Sequence, residues 1–478
     1  MIRHRFGFSV LALLGCSSYV AAGCGSNTST NNSPQSQNDA GEEGGVTPTE
    51  GGASSSSGGN GDSGSRGEGG SDAGQDGGHT PSNMYPAFPV DTPTVVDNGG
   101  NVLSAPNIVT VTWSSDPNAA TWNAIGDNIG ASTYWKTINS EYGVGPATSG
   151  SANHFSITTP PPATFNAQDI DSWVSTNISN GTWPANTPNT IYAVYTDPTT
   201  DLVFGGGDAG MTVDACQFLG GYHDETMTGS YVYAILPQCK QFTKTDIEIA
   251  ASHELNEAAT DPHPSSNPAW YGFDPDHLAW EFFQRFQDEL GDACEFFPWS
   301  NNYTDTETNF MFAAQLQWSN AAAKAGHNPC VPEPSGPYYN VTAFPSEQTT
   351  ISVDLTQLQM GMGKVQSKGY KGTLNQPLTF HLGAWSDGPT TGPWTLTANV
   401  DAQFQIYIPG GSMLNNGAAT VTLDKTSVVN GDMVTVTVTP TSWGSLGIVY
   451  VWFRNALVPG DAGANDPHGD YAILVSQN

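Results

Sequence analysis

From residue 25 to about residue 84 the chain gives a fold almost nothing to bury: Gly, Ser, Asn and Asp fill the stretch. Such a segment cannot offset the entropy of ordering its backbone, so it is expected to be a flexible tether. Compact structure must therefore begin at about residue 85. Within the tether, Gly61-Asp62-Ser63-Gly64 matches the surroundings of a serine nucleophile. Chance produces such matches in a Gly/Ser-rich run, and it is set aside.

Residues 1–24 read as an export signal. Arg3 and Arg5 supply the positive end, and Phe6 to Leu14 an apolar core too short to span a bilayer. Leu13-Leu14-Gly15-Cys16 and Ala21-Ala22-Gly23-Cys24 each resemble a lipobox. Leu three before the cysteine favours Cys16, and the longer apolar run favours Cys24. The expectation is an exported protein, at the outer membrane or cell surface as a lipoprotein or else secreted, that touches a membrane only through an N-terminal lipid anchor. Cys216, Cys239, Cys294 and Cys330 remain. In an exported chain they imply two disulfides. Three pairings are open, and pairing of neighbours is the one expected.

The chain carries 45 acidic and 13 basic residues, a formal net charge of -32. Nucleic acid is excluded as a natural partner, because phosphate binding needs basic patches. With so few Lys and Arg, most carboxylates cannot be ion-paired. A buried one must be protonated, hydrogen-bonded or bound to a metal.

The folded remainder divides by periodicity. In residues 85–335, short apolar strands alternate with helical patterns. Val109, Val111 and Trp113 alternate like a strand, Trp122 to Ile138 reads as one helix, and Ile191–Tyr195 and Tyr231–Leu236 read as strands. That order predicts an α/β or α+β layer arrangement. In residues 336–478 the strands alternate and no helical pattern appears. Val434, Val436 and Val438 share a face, Ile448, Tyr450 and Trp452 follow, and Asn430-Gly431 predicts a hairpin turn. An immunoglobulin-like β-sandwich is expected there, as an accessory module. Asp461, Asp466, His468 and Asp470 read as a solvated polar loop rather than a calcium site.

The stretch with chemistry in it is His253-Glu254-Leu255-Asn256-Glu257. It lies in a predicted helix over 246–259, with Thr245 and Glu248 as a capping box and Pro262 beyond its end. Ile247, Ala251, Leu255 and Ala258 form a core-facing stripe. At roughly 100° per residue, His253 and Glu257 lie about 40° apart on another face, with Glu254 between them and the stripe. Zinc hydrolases build a metal site in one helical turn this way, with the Glu after the first His as general base. Here Glu257 stands where a second His is usual.

Several landmarks in order carry a resemblance. They are Asn107 to Trp113; Ser132-Thr133-Tyr134-Trp135-Lys136-Thr137; Ile191 to Tyr195; Gly221-Tyr222-His223; the 253–257 motif; Ala269-Trp270-Tyr271; Glu289-Leu290-Gly291-Asp292-Ala293-Cys294-Glu295; and Gln317-Trp318-Ser319-Asn320 with Cys330. Over roughly residues 105–332 the chain resembles the EXORDIUM, or phosphate-induced, protein family of plant cell walls and bacteria. The resemblance implies a zincin-like or EXORDIUM-like domain, extracellular, with no assigned reaction in plant members and a metallopeptidase-like motif in bacterial ones. The chain departs from the pattern by an insertion, Pro275 to Gln287, which leaves the distance from the helix to Asp292 open.

Two ligands do not make a zinc site. Asp292, with Glu289 beside it, is the favoured third ligand. His263 has the ten-residue spacing from His253 found in metzincins, although Thr260 and Pro262 oppose the turn that spacing needs. His223 could approach from a strand. The motif leads to an expectation of zinc, but a His253, Glu257 and Asp292 set is oxygen-rich and anionic, which lowers zinc's Lewis acidity and keeps calcium and manganese as alternatives. In the functional reading a metal-bound water loses its proton to Glu254 and attacks a carbonyl of an extracellular peptide or protein. The rivals are a non-catalytic wall-polymer or carbohydrate-binding module, in which the motif only holds the acidic box, and a structural adhesin. Trp135, Trp270, Trp280 and Trp299 are read as core rather than a sugar platform.

Overall fold

A computed structural model of the chain describes residues 81–478, apart from 206–211, 218, 285–288, 296–302, 306–309, 335, 359–361, 401–404, 409–411, 458–468 and 478. The export signal, both lipobox cysteines, the tether up to residue 80, Trp299, Asp461, Asp466 and His468 lie outside the described residues. Most of the regular structure is β-sheet, and the C-terminal part has a sandwich-like arrangement.

Five strands form the sheet that positions the site: β1 (Asn107–Trp113), β2 (His154–Ile157), β3 (Thr190–Tyr195), β4 (Tyr222–Glu225) and β5 (Val232–Leu236), in the spatial order β2-β1-β3-β5-β4. The first four in that order run parallel, and β4 closes the edge antiparallel to β5. Parallel strands are normally covered on both faces. Here Val109, Val111 and Trp113 of β1 pack on Ile170 and Val174 of α3 (Ala167–Ser179). Ile108, Ile191 and Ala193 face the opposite layer, where α1 (Ala119–Ile129), α2 (Thr133–Asn139) and α4 (Lys244–Thr260) lie. The polar-looking alternation of β1 therefore belongs to a strand buried on both sides.

The single helix expected over 122–138 is two. Gly130 backs directly onto Ala147, whose carbonyl oxygen would stand 2.1 Å from any Cβ placed there. The chain then restarts at Ser132, whose hydroxyl accepts from Trp135 N at 3.0 Å and caps α2.

Helix α4 begins two residues earlier than expected. Its capping box is Thr243 with Asp246, not Thr245 with Glu248. Glu248 is engaged elsewhere, accepting from Ala313 N at 3.1 Å and lying 3.5 Å from Lys244 Nζ. The predicted stripe of Ile247, Ala251, Leu255 and Ala258 is buried in the core beneath the sheet. The opposite face is buried too, under the strand Phe310–Ala314 and the segment around residue 291.

The C-terminal strands are β6 (Tyr339–Ala343), β7 (Thr349–Asp354), β8 (Lys364–Gly372), β9 (Leu378–Ser386), β10 (Trp394–Val400), β11 (Ala418–Leu423), β12 (Ser427–Val428), β13 (Met433–Ser442), β14 (Ile448–Ala456) and β15 (Gly469–Ser476). They make a four-stranded sheet, β6-β9-β13-β11, and a six-stranded sheet, β7-β8-β15-β14-β10-β12. Val434, Val436 and Val438 share a core with Val449, Val451 and Phe453 between them. Asn430-Gly431 is a turn, with Gly431 at φ +103°, but not a hairpin. It carries the chain from β12 in one sheet to β13 in the other. The Asn430 side chain ties it down, donating to Ser82 O and Met84 O and accepting from Ser386 N. Asp470 is not in a solvated loop. It is buried at the start of β15 and accepts from Ala343 N at 2.8 Å, and burial lifts its carboxyl to about 6.

The inserted segment has its own structural work. Most of it forms α5 (Leu278–Gln284), which packs on the outer face of the six-stranded sheet. Trp280 meets Tyr471 edge-on at 4.9 Å, and Phe283 stacks on the same ring at 4.9 Å. Residues from both sides, Trp318 and Phe282 with Ile351, Tyr450 and Ile473, form one apolar core. Trp135 and Trp280 are buried, as expected, and Trp270 is partly so.

Two disulfides join Cys216 to Cys239 and Cys294 to Cys330, the pairing of neighbours. They fit an extracellular or periplasmic setting. No helix among the described residues is long and apolar enough to cross a membrane.

Candidate metal centre

Three segments meet at α4. One is α4 itself, presenting His253, Glu254 and Glu257. The second is β4, presenting His223. The third is the acidic box, which brings Glu289 and then Asp292 at the start of α6 (Asp292–Glu295). The insertion does not carry Asp292 away: His253 Nε2 lies 3.6 Å from Asp292 Oδ1 and 3.0 Å from Glu257 Oε2. Those three side chains form one potential ligand set, with donor atoms within 4.8 Å of one another. His223, Glu254 and Glu257 form a second such set.

His223 is more central than expected. Its Nδ1 stands 3.6 Å from both Glu254 Oε2 and Glu257 Oε2, and its Nε2 3.4 Å from Glu289 Oε1. Glu289 therefore neighbours His223 rather than His253. His263 does not join the cluster. Its Nδ1 pairs with Glu225 Oε2 at 2.9 Å, and the same carboxylate accepts from Ser266 N and Oγ. The metzincin-like spacing fails because α4 stops at Thr260 and Pro262 and Pro264 lead the chain away.

Hydrogen bonds fix both imidazoles. Gln315 Nε2 donates to Gly291 O at 2.7 Å, which leaves Gln315 Oε1 as the acceptor facing His253 Nδ1 at 3.0 Å. His253 therefore carries a proton on Nδ1, and in its neutral form the bare Nε2 faces Glu257 and Asp292. His223 Nε2 donates to Asp261 O at 3.1 Å, so in the neutral ring a bare Nδ1 faces Glu254 and Glu257. Metal-binding histidines are oriented in this manner, one nitrogen held by an acceptor and the other presented. Glu257 is fixed as firmly: Gly291 N and Asp292 N both donate to its Oε1, at 2.9 and 3.1 Å.

A polar chain holds Gln315. Its backbone N donates to Ser252 Oγ, its carbonyl accepts from Tyr134 Oη at 2.6 Å, and Asn256 Nδ2 donates to Tyr134 Oη. Asn139 bonds Asn256 in turn. The Ser132-to-Thr137 landmark thus supports the site from behind, and Asn256 of the motif points away from it. Gln315 and Asp261 were missed in the sequence. The only signal for Gln315 is one amide at the end of an apolar run, Phe310 to Ala314.

Two glycines make the closeness possible. A Cβ on Gly291 would lie 2.7 Å from both Glu257 Oε1 and His253 Nδ1. One on Gly221 would lie 2.8 Å from Glu254 Oε1.

Charge is the conspicuous feature. Glu254, Glu257 and Glu289 are buried, Asp292 is nearly so, and among the described residues no Lys or Arg pairs with any of them. Burial pushes every one of these carboxyls up. At Glu257 the His253 and His223 rings outweigh it and hold the group well below the usual range. Glu254, Glu289 and Asp292 stay above it. Burial opposes charge on the imidazoles, but the carboxylates, Glu289 first for His223 and Glu257 first for His253, drive both well above the ordinary histidine value. The cluster is built to attract positive charge.

No protein-family model matches the chain, and no curated protein matches it. Among solved structures it is similar to the ASH/PapD-like domain 7 of human CEP192, at 13% identity over 23% of this chain and 78% of that one, with a TM-score of 0.16. It is also similar to domains 4 and 5 of the S-layer protein SbsC, at 12% identity over 37% of this chain and 89% of that one, with a TM-score of 0.15. At those scores neither likeness bears on the fold or the site.

Proposed function

We propose that the chain is an exported metallopeptidase-like protein of the EXORDIUM type, in which His253, Glu257 and Asp292 hold a divalent cation and Glu254 is the general base. The observation that carries this reading is the placement of His253 Nε2, aimed at two carboxylate oxygens 3.0 and 3.6 Å away. That geometry requires a proton or a cation between the nitrogen and the oxygens, and a cation can take the proton's place. The donor set is one nitrogen and two oxygens, which zinc accepts and which manganese or calcium also tolerate. A zincin-like α/β layer is supported by the helix that carries the motif and packs beneath a mixed sheet with an antiparallel edge strand.

When bound, the cation supplies Lewis acidity toward a substrate carbonyl and acidifies a water. The chain's own residues do the rest. Glu254 is next to the first ligand, where a general base must stand, and burial raises its carboxyl above the ordinary range. Gln315 fixes the tautomer and orientation of His253. The Gly291 and Asp292 amides hold one oxygen of Glu257, so that only the other is presented.

A second reading has one observation in its favour: the three glutamates are 2 to 7% exposed, which leaves little room for a polymer. In that reading the cation pins the acidic box to α4 and no bond is cut. A peptide-library digestion with the full chain, after zinc or manganese is restored, separates the two. Cleavage that disappears in Glu254→Gln supports the first. Equal cleavage in wild type and variant removes Glu254 from the mechanism. No cleavage, with a thermal midpoint that still falls on chelation, leaves the pinning role.

A further inference from the structure

We infer that this cluster is built for two divalent cations side by side, with Glu257 Oε2 shared between them, His253 and Asp292 completing one set and His223 and Glu254 the other. The first set rests on the reading proposed above; the second is new, and in it Glu254 is a cation ligand in place of the general base it is in the one-cation reading.

The ring nitrogens are the first ground. His223 is 6% exposed, and its outer nitrogen donates to the Asp261 carbonyl. Its inner nitrogen has no hydrogen-bond partner at normal length: the nearest oxygens, on Glu254 and Glu257, are both at 3.6 Å. His253 repeats the pattern on the other side, with Gln315 as the outer acceptor. Two buried imidazoles, each oriented by an outer acceptor, aim their inner nitrogens at one glutamate from different elements.

Glu257 is the second ground. Its Oε1 is taken by two backbone amides, so its Oε2 alone faces both rings, at 3.0 Å from His253 and 3.6 Å from His223. A carboxylate anchored through one oxygen, with the other held between two nitrogen ligands, is placed to bridge.

The carboxyl groups are the third. Glu254, Glu257, Glu289 and Asp292 come together where no Lys or Arg pairs with them among the described residues. Buried carboxyl groups without a cationic side chain beside them favour a bound cation, and they line both sets. Each set also has its own close glycine, Gly291 beside His253 and Glu257, and Gly221 beside Glu254. The mixed nitrogen and oxygen donors suit zinc or manganese.

The test is cation stoichiometry on the full chain, stripped with chelator, reloaded with Zn2+ and desalted. Two equivalents are expected in wild type, and one in His223→Ala and in Glu254→Gln. The one-cation reading instead expects one equivalent in wild type, unchanged in both variants. That result would overturn the second set and leave the first standing. No retained cation overturns both. Reloading with Mn2+ gives a readout that needs no variant. A shared carboxylate predicts an exchange-coupled electron paramagnetic resonance spectrum, and two equivalents with only isolated-ion signals would refute the bridge. Should His223→Ala fail to fold by circular dichroism, His223→Gln takes its place, and the wild-type stoichiometry and spectrum decide alone.

Discussion

The interior beside α4 and the interior beside α5 are both buried, yet they are made of opposite materials. At α4 the chain buries carboxylates, imidazoles and amides that hold one another by direction and charge. At α5 it buries Phe, Trp and Tyr rings that hold one another by area. The difference teaches what each can be asked to do. An aromatic seam has no charge of its own to respond to a specific cation, and its part is to join. A polar cluster without enough cationic partners is costly on its own, and that cost makes it responsive to a cation.

The comparison can be broken from either side. The largest effect is expected at the seam. Trp280→Ala removes a 3% exposed ring that contacts Tyr471, Phe273 and Trp318, and should cost about 3–5 kcal/mol in chemical denaturation. That cost should be the same with and without chelator. If chelation changed it, the two interiors would not be independent.

Next in size is removal of the cation. With free zinc held about 1,000-fold above its dissociation constant, binding adds about 4 kcal/mol to the native state, and chelation should take that away. The Glu257→Ala variant should show no response to zinc or chelator. A wild-type unfolding curve that ignores both would place the α4 cluster with the seam as a passive core.

A third prediction concerns pH at a buried histidine beside the seam. His277 lies 2.7 Å from Asp274 and 3.5 Å from Asp91. Burial opposes its charge, but Asp274 and Asp91 outweigh that and raise it to about 10. A raised histidine stabilises fully below its unfolded value of about 6.5 and loses that contribution as pH climbs through the folded value. Unfolding free energy should therefore fall by about 1–3 kcal/mol between pH 7 and 10, and the slope should flatten in His277→Gln. An equal slope in the variant would assign the effect elsewhere. The smallest effect is at the start of α4: Thr243→Ala removes the cap and should cost about 1 kcal/mol by thermal melting, while Thr245→Ala should be nearly silent.

What could be read in the sequence was mostly local. The strands Ile191–Tyr195 and Val434–Val438 and the α4 stripe follow from periodicity. The cysteines left three pairings open, and the structure has the expected one, between neighbours. The capping register did not, because Thr243 and Thr245 each precede an acidic residue by three, and what decides between them is Glu248's distant partner Ala313. The turn at Asn430 looked like a hairpin because a dipeptide cannot reveal which strand its neighbours pair with. His263 was offered by spacing along the chain, and two prolines and Glu225 removed it. Gln315 left almost no trace, since a single amide that orients a histidine has no motif. The insertion looked like an interruption of the site; its rings make it the joint with the sandwich, which is also why the full chain is the proper material for experiments.

The most direct test of the central claim, that the α4 cluster is a cation centre, is metal content of the full-length protein after zinc reloading and desalting. The account predicts bound zinc in wild type, none in Glu257→Ala, and a thermal midpoint that falls on chelation only in wild type. Protein that retains no zinc or manganese, with a midpoint indifferent to chelator, would contradict it.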